Sequence, residues 1–123
     1  MPNAKLAGVW SRSKNTAEKF ASEYQVPFYS EISELIIQEK IDLVLVCTPH
    51  PFHLEPVLEA AKVGANILVE KPLASTLEDS DKIIAACNNA RVILGVISQR
   101  RWYEPVIRVK KAIEAGKIGK PVF

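Results

Sequence analysis

Short apolar runs alternate along the chain with segments whose apolar residues recur every three or four positions. The runs predict five strands, at residues 5–10, 26–29, 42–47, 67–69 and 92–96. Ala17, Phe20, Ala21 and Tyr24 share the spacing of one helix face, and Ser13 is placed to cap that helix. Strands that alternate with helices in this way indicate βαβ units, and therefore an α/β fold with a doubly wound parallel sheet.

Four further helices follow from the same spacing and from capping residues. Ser30 opens one, with Ile32, Leu35 and Ile36 facing inward. Another begins near Leu54, a third begins at a capping box over 75–78 and runs to about residue 89, and the last spans about 105–115. The loops between these helices and the preceding strands are where candidate chemistry is found.

Composition narrows the class of protein without naming a function. Of the 123 residues 48% are apolar, and 16 basic against 14 acidic side chains leave +2 with no basic stripe. We therefore expect one domain or part of one, and no nucleic-acid partner. No apolar run approaches the roughly 20 residues of a membrane span, and no signal peptide precedes the first strand, so we expect no membrane partner and a cytoplasmic location. Cys47 and Cys87 lack metal-ligand spacing, and we predict two buried, reduced thiols and no metal site.

Asn66–Pro72 combines a buried strand with an acid, a base and a proline. Pro72 restricts Lys71 to an extended conformation. The ammonium of Lys71 is thus delivered at the carboxyl end of a strand, where open α/β sheets bind ligands. Glu70 points to the other face if the strand pleat persists. The alternative is a solvated Glu–Lys pair at a strand end.

The chain resembles the glucose–fructose oxidoreductase/inositol dehydrogenase (Gfo/Idh/MocA) family of nicotinamide-dependent oxidoreductases, over essentially all its length. The features that carry the resemblance follow successive strands of the predicted sheet. They are Ser11-Arg12, Thr48-Pro49 with His53, Glu70-Lys71-Pro72, and Arg101-Trp102. The resemblance implies hydride transfer between NAD or NADP and a sugar, polyol or related hydroxylated small molecule.

Ser11 and Arg12 fall where such a sheet faces the adenosine ribose. An acid there binds the ribose hydroxyls, whereas an arginine favours a 2′-phosphate. One charge-assisted bond from Arg12 would contribute about 1.5–3 kcal/mol, a roughly tenfold to hundredfold preference for NADP. The alternative is a solvated arginine in a turn.

The remaining site residues take their roles from the resemblance. Thr48, Pro49 and His53 are expected to hold the cofactor, although His53 could instead cap its own helix. Lys71 is the expected catalytic residue: it contacts cofactor and substrate hydroxyl and stabilises the developing oxyanion. Glu70 is expected beside the cofactor as an orienting group. Trp102 and Tyr103 could line the pocket, but ordinary packing is the prediction for both.

The glycine-rich turn that opens such sheets is missing, since the only early glycine, Gly8, lies within a predicted strand. We therefore expect an incomplete Rossmann-type sheet without its first strand, in which strands 5–10 and 42–47 pair directly or flank a gap. Residues 1–119 are predicted as a partial NAD(P)-binding domain, and 120–123 as the start of a missing α/β substrate domain. The chain alone is then expected to be an inactive fragment. The alternative is a non-catalytic relative that serves as a binding or pairing module, and a homo-oligomer is compatible with both.

Overall fold

A computed structural model describes residues 3–120 and 122, and within them all five predicted strands and five predicted helices are present. The strands are Val9–Trp10 (β1), Phe28–Tyr29 (β2), Leu43–Val46 (β3), Asn66–Val69 (β4) and Leu94–Val96 (β5). The helices are Lys14–Tyr24 (α1), Ile32–Gln38 (α2), Leu54–Lys62 (α3), Leu77–Ala90 (α4) and Glu104–Glu114 (α5). Short 3₁₀ helices at His50–Phe52 and Gln99–Trp102 lead into α3 and α5. The strands are shorter than the apolar runs that predicted them.

Helix starts follow the capping residues closely. The hydroxyl of Ser13 accepts a hydrogen bond from the Thr16 amide, as predicted. The capping residue of α4 is Thr76, which accepts from the Asp79 amide at 3.1 Å, one position later than the predicted box. The prediction for α2 was wrong by one residue, because Glu31 occupies the capping position and its side chain makes no capping bond.

The strands form two parallel sheets, which confirms the α/β prediction. In one, β1 pairs with β2, with Val9 opposite Phe28. In the other, β4 lies between β3 and β5, with Val46 opposite Val69 and Val69 opposite Val96. No ladder joins β1 to β3 among the described residues. Of the two predicted arrangements, the structure therefore has the gap.

The core lies between the three-stranded sheet and helices α3 and α4. Ile67 and Val69 of β4 are buried against Val57 of α3 and Ile83 of α4. Trp10 of β1 packs against the same cluster, so the two sheets share one core although they share no backbone ladder. Burial of these side chains supplies the main force that holds the strand ends in place.

The opposite face of β3 is open, which makes the prediction for Cys47 wrong. Leu43 and Leu45 are 52% and 56% exposed, whereas Val46 is buried. Cys47 continues the alternation of Leu43 and Leu45 and is likewise exposed, while Cys87 is buried as predicted. Leu68 of β4 is only half-buried. Core helices α3 and α4 thus cover one face of this sheet, and the prediction of a buried strand within 66–72 holds for the face of β4 that carries Ile67 and Val69.

Helix α1 is less buried than its pattern predicted, and helix α5 lies at the surface. Ala17 and Ala21 of α1 are buried, but Phe20 and Tyr24 stack on each other at its surface, with ring centroids 4.4 Å apart. Helix α5 has no buried residue. Within the described ranges, no helix is long and apolar enough to cross a membrane.

Candidate functional site

The predicted site residues stand at the carboxyl ends of three strands, β1 in the two-stranded sheet and β3 and β4 in the three-stranded sheet. Ser11 and Arg12 directly follow β1, Thr48 lies in the loop after β3, and Glu70 and Lys71 directly follow β4. The paired strands β3 and β4 present their ends at a common edge, which is where open α/β sheets bind ligands, and a contact between Arg12 and Phe52 brings the loop after β1 to the loop after β3. The site is therefore a set of loops whose mutual contacts decide what it can do.

His53 connects two of those loops from inside the protein. It is 1% exposed, and Nε2 lies 2.7 Å from the carbonyl oxygen of Thr48. Nδ1 lies 3.0 Å from the carbonyl oxygen of Pro72 and 3.3 Å from that of Leu73. The side chain makes no capping bond to α3, so the capping alternative was wrong. Both ring nitrogens are engaged by backbone, and the ring braces the segment that carries Lys71.

Thr48 and Pro49 shape the loop after β3. The Thr48 hydroxyl donates to the carbonyl oxygen of Phe52 at 3.0 Å. The Phe52 amide donates to the carbonyl oxygen of Pro49 at 2.8 Å. These two bonds close the first 3₁₀ turn and fix the Phe52 backbone.

Lys71 is exposed at the end of β4, and its peptide bond to Pro72 is cis. Glu70 is not its ion-pair partner, because the Glu70 carboxylate accepts from the Lys71 backbone amide at 3.1 Å. Among the described residues no carboxylate lies within ion-pair distance of the Lys71 ammonium. The Glu70 amide in turn donates to Val46 and continues the ladder. A free cation thus stands at the strand end, held there by a fixed backbone.

The guanidinium of Arg12 lies over the ring of Phe52, with its central carbon 3.4 Å from the ring centroid. The neighbouring Ser11 hydroxyl accepts from the Ser13 amide at 3.3 Å. Arg12 borders two depressions. One, of about 140 Å³, is lined by Ser11, Arg12, Lys14, Ala17, Phe28, Tyr29 and Ser30. The other, of about 350 Å³, is lined by Arg12, Pro51, Phe52, Leu54, Glu55 and Asp79.

Phe52 and Asp79 are site residues that sequence reasoning missed. Phe52 lies in the loop that carries Thr48 and Pro49, which was predicted to hold the cofactor. The signal available in the sequence was an aromatic residue in that loop. Asp79 was read only as part of a helix start, and nothing in the sequence indicates that it faces Arg12 across a groove. The pairing of these loops depends on tertiary packing.

Trp102 and Tyr103 correct another prediction. Trp102 is 79% exposed and Tyr103 is also exposed, so neither is packed in the core. They follow β5 at the same edge of the sheet as Lys71. Within the described ranges, no group of histidine, cysteine, aspartate and glutamate side chains could hold a metal ion.

Cys47 adds a thiol to this edge. Its residue is exposed, yet partial burial of the thiol, and secondarily the negative charge of Glu70, raise the pKa of Cys47 above its usual value. The thiolate is therefore disfavoured at neutral pH. The cation at Lys71 remains the group best placed for chemistry.

A family model described as "Oxidoreductase family, NAD-binding Rossmann fold" (GFO_IDH_MocA) matches residues 1–98. The scyllo-inositol 2-dehydrogenase (NAD(+)) of Bacillus subtilis (strain 168) is 35% identical over 124 residues, which cover 100% of this chain and 36% of that protein. The myo-inositol 2-dehydrogenase of Thermotoga maritima is 39% identical over 93 residues, covering 76% and 28%. The chain spans about a third of the length of these relatives.

Solved structures give the same likeness. A probable dehydrogenase from Thermotoga maritima has a TM-score of 0.85 at 33% identity, covering 96% of this chain and 36% of that one. The WlbA dehydrogenase of Bordetella pertussis, in complex with NADH and UDP-GlcNAcA, has a TM-score of 0.90 at 28% identity, covering 97% and 34%. These neighbours confirm the Rossmann-type fold of the prediction.

Proposed function

The chain belongs to the GFO_IDH_MocA family of oxidoreductases with an NAD-binding Rossmann fold, and from this premise we propose that it is the nicotinamide-dinucleotide-binding part of an oxidoreductase. The enzyme would transfer hydride between NAD or NADP and a hydroxyl group of a sugar, polyol or related small molecule. The names of its relatives, two of them inositol dehydrogenases, support this substrate class. NADP is the preferred cofactor in this proposal, because Arg12 and not an acid follows β1.

The domain division is part of the same proposal. Residues 1–119 would form the cofactor domain and 120–123 the start of a substrate domain. The relatives are about three times longer than this chain, which supports the division. Pro121 and Phe123 lie outside the described residues, so the second segment stays a prediction. A cytoplasmic location and a homo-oligomeric state likewise stay predictions.

Lys71 carries the proposed chemistry. When a secondary alcohol loses hydride to the nicotinamide, its oxygen bears negative charge in the transition state and must also lose a proton, which would pass to a base of the proposed substrate domain. A positive group aimed at that oxygen stabilises the charge. The observation that supports the role is an exposed ammonium at the carboxyl end of β4, with no carboxylate partner in the described part of the chain. The bound nicotinamide would supply the hydride acceptor.

The other predicted site residues would act around it. Ser11 and Arg12 would face the adenosine ribose, and Thr48 and Pro49 would present the loop after β3 to the cofactor. Glu70 would hold the Lys71 backbone through its bond to the amide. For His53 we propose an indirect role, because both ring nitrogens face backbone carbonyl oxygens and the ring is buried.

Binding is tested by titrating the purified chain with NADPH and NADH and following cofactor fluorescence. Saturable binding supports a cofactor domain that closes without its glycine-rich turn. Absence of binding up to millimolar concentration of either dinucleotide would mean that the missing phosphate-binding turn is required and that cofactor binding belongs to a longer protein. Catalysis is tested with Lys71→Ala in the chain joined to a substrate domain. We expect a large fall in kcat and a small change in cofactor Kd, with Lys62→Ala on α3 as the matched control. An unchanged kcat would remove Lys71 from the mechanism.

A second candidate is a non-catalytic binding or pairing module. The observation that favours it is the missing ladder between β1 and β3 in the described residues, which leaves a strand edge open. This candidate predicts saturable dinucleotide binding with no turnover even when a substrate domain is present. Turnover in that longer protein would exclude it.

A further inference from the structure

The stacking of Arg12 on Phe52 has a chemical consequence for the proposed cofactor preference. A guanidinium carries five N–H donors in its plane. A carboxylate partner would occupy two of them, whereas an aromatic ring beneath the plane occupies none. In the described residues Arg12 has no carboxylate within ion-pair distance and lies 3.4 Å over the Phe52 ring. Its N–H donors are therefore not engaged by a carboxylate in the described residues.

Phe52 is itself held in place. Its amide donates to Pro49 and its carbonyl oxygen accepts from the Thr48 hydroxyl, so the backbone under the ring is fixed at both polar groups. The stack also connects the two sheets, since Arg12 follows β1 of one sheet and Phe52 follows β3 of the other. The ring is thus a platform, anchored on one loop, that supports a side chain from another.

The charges around Arg12 show which side would take an anion. The larger groove carries the carboxylates of Glu55 and Asp79, which disfavour a phosphate. The smaller depression carries Ser11 and Lys14 and no carboxylate in its lining. An anionic group that meets Arg12 is therefore directed to the Ser11–Lys14 side.

We propose that Phe52 is the positioning residue that holds Arg12 for the 2′-phosphate of NADP. This rests on the proposed function, and it adds a residue that acts only through Arg12. A flexible arginine loses rotamer freedom when it binds a phosphate, and a pre-stacked arginine has lost part of that freedom already. Removal of the ring should therefore weaken binding of the phosphorylated cofactor selectively.

The test compares 2′,5′-ADP with 5′-AMP, which differ only in the 2′-phosphate, by isothermal titration of the full chain. We expect Phe52→Leu to reduce the affinity ratio by about threefold to tenfold, in the range of one exposed to partly desolvated cation–π contact. Phe52→Tyr should restore the ratio, because a phenol ring supports the same stack. Phe20→Leu, the same replacement on the surface of α1, is the matched control.

The outcomes distinguish a failure of the role of Phe52 from a failure of the proposed function. If Arg12→Gln abolishes the preference while Phe52→Leu leaves it intact, Arg12 binds phosphate without its platform and the inference is overturned. If the chain shows no preference for 2′,5′-ADP, both the NADP preference and the role of Phe52 fail. Binding of NADH would still support a nicotinamide-binding domain in that case.

Discussion

The phenol of Tyr29 donates a hydrogen bond of 2.6 Å to the carboxylate of Glu39, and so joins β2 to the end of α2. This bond is the largest cause of a raised pKa for Tyr29, with smaller contributions from burial and from the negative charge of nearby glutamates. The folded protein therefore holds the phenolic proton more tightly than the unfolded chain does. Such a difference links stability to pH.

The Tyr29–Glu39 bond should stabilise the protein only below strongly alkaline pH. Because the folded pKa lies above the unfolded value of about 10, the contribution is complete below that pH and is lost as pH rises through the folded pKa. Urea unfolding between pH 7 and 11 should show a steeper loss of stability above pH about 10 in the wild type than in Tyr29→Phe. Tyr103→Phe, at an exposed tyrosine, is the control. Parallel curves for Tyr29→Phe and wild type would contradict the linkage.

His53→Leu should destabilise the fold by about 1–3 kcal/mol. Leucine fills the buried volume but leaves the carbonyl oxygens of Thr48 and Pro72 without a polar neighbour. The free energy of unfolding in urea measures the loss. His50→Leu makes the same replacement at an exposed position of the 3₁₀ turn, and we expect a change within about 0.5 kcal/mol. Equal effects of the two variants would show that the buried contacts contribute nothing.

Ile83→Ala should cost about 2–5 kcal/mol, because this residue of α4 is 0% exposed in the centre of the core. Its neighbour Ile84 is 44% exposed and provides a control of identical chemistry. Chemical denaturation of both variants separates core packing from helix propensity, which the two replacements change alike. A cost for Ile84→Ala as large as that for Ile83→Ala would mean that the packing of α4 differs from this structure.

Alkylation should distinguish the two thiols. Cys47 is exposed and Cys87 is buried, so iodoacetamide should label Cys47 in the native state and Cys87 only after unfolding. The raised pKa of Cys47 should make labelling slow at neutral pH and faster as pH rises. Glu70→Gln removes the nearby negative charge and should speed labelling by roughly twofold, the scale of a screened charge interaction. Glu59→Gln on α3 is the control, and mass spectrometry identifies the site. Faster labelling of Cys87 than of Cys47 would contradict the assigned burial.

Local signals in the sequence were sufficient to predict the order of the strands and α-helices along the chain. A continuous apolar run between turn residues marks β3, and hydroxyl side chains at Ser13 and Thr76 mark two helix starts. These features act over three or four residues, so they are visible without the fold. The positions of Thr48 and Lys71 at neighbouring strand ends follow from the same order, because the parallel strands β3 and β4 share an edge.

Features that depend on distant parts of the chain could not be predicted. Cys47 ends an apolar run typical of a buried strand, so its sequence predicts a core thiol. It is exposed because no layer in the described structure covers its face of the sheet. His53 reaches residues 19 and 20 positions away, which no spacing rule indicates. The contact of Arg12 with Phe52 joins two loops across the gap and depends on the packing of both sheets on one core.

The division of the strands into two sheets has a consequence for local unfolding of the protein. Strands β1 and β2 are two residues long and pair only with each other in the described structure, whereas β4 is bonded on both sides. A unit tied to the rest by side-chain packing alone can separate without unfolding the remainder. Amide protons of β2 should then exchange with solvent through local opening, while those of β4 exchange only when the whole core unfolds. The end of the site that carries Arg12 would thus belong to a less cooperative unit than the end that carries Lys71.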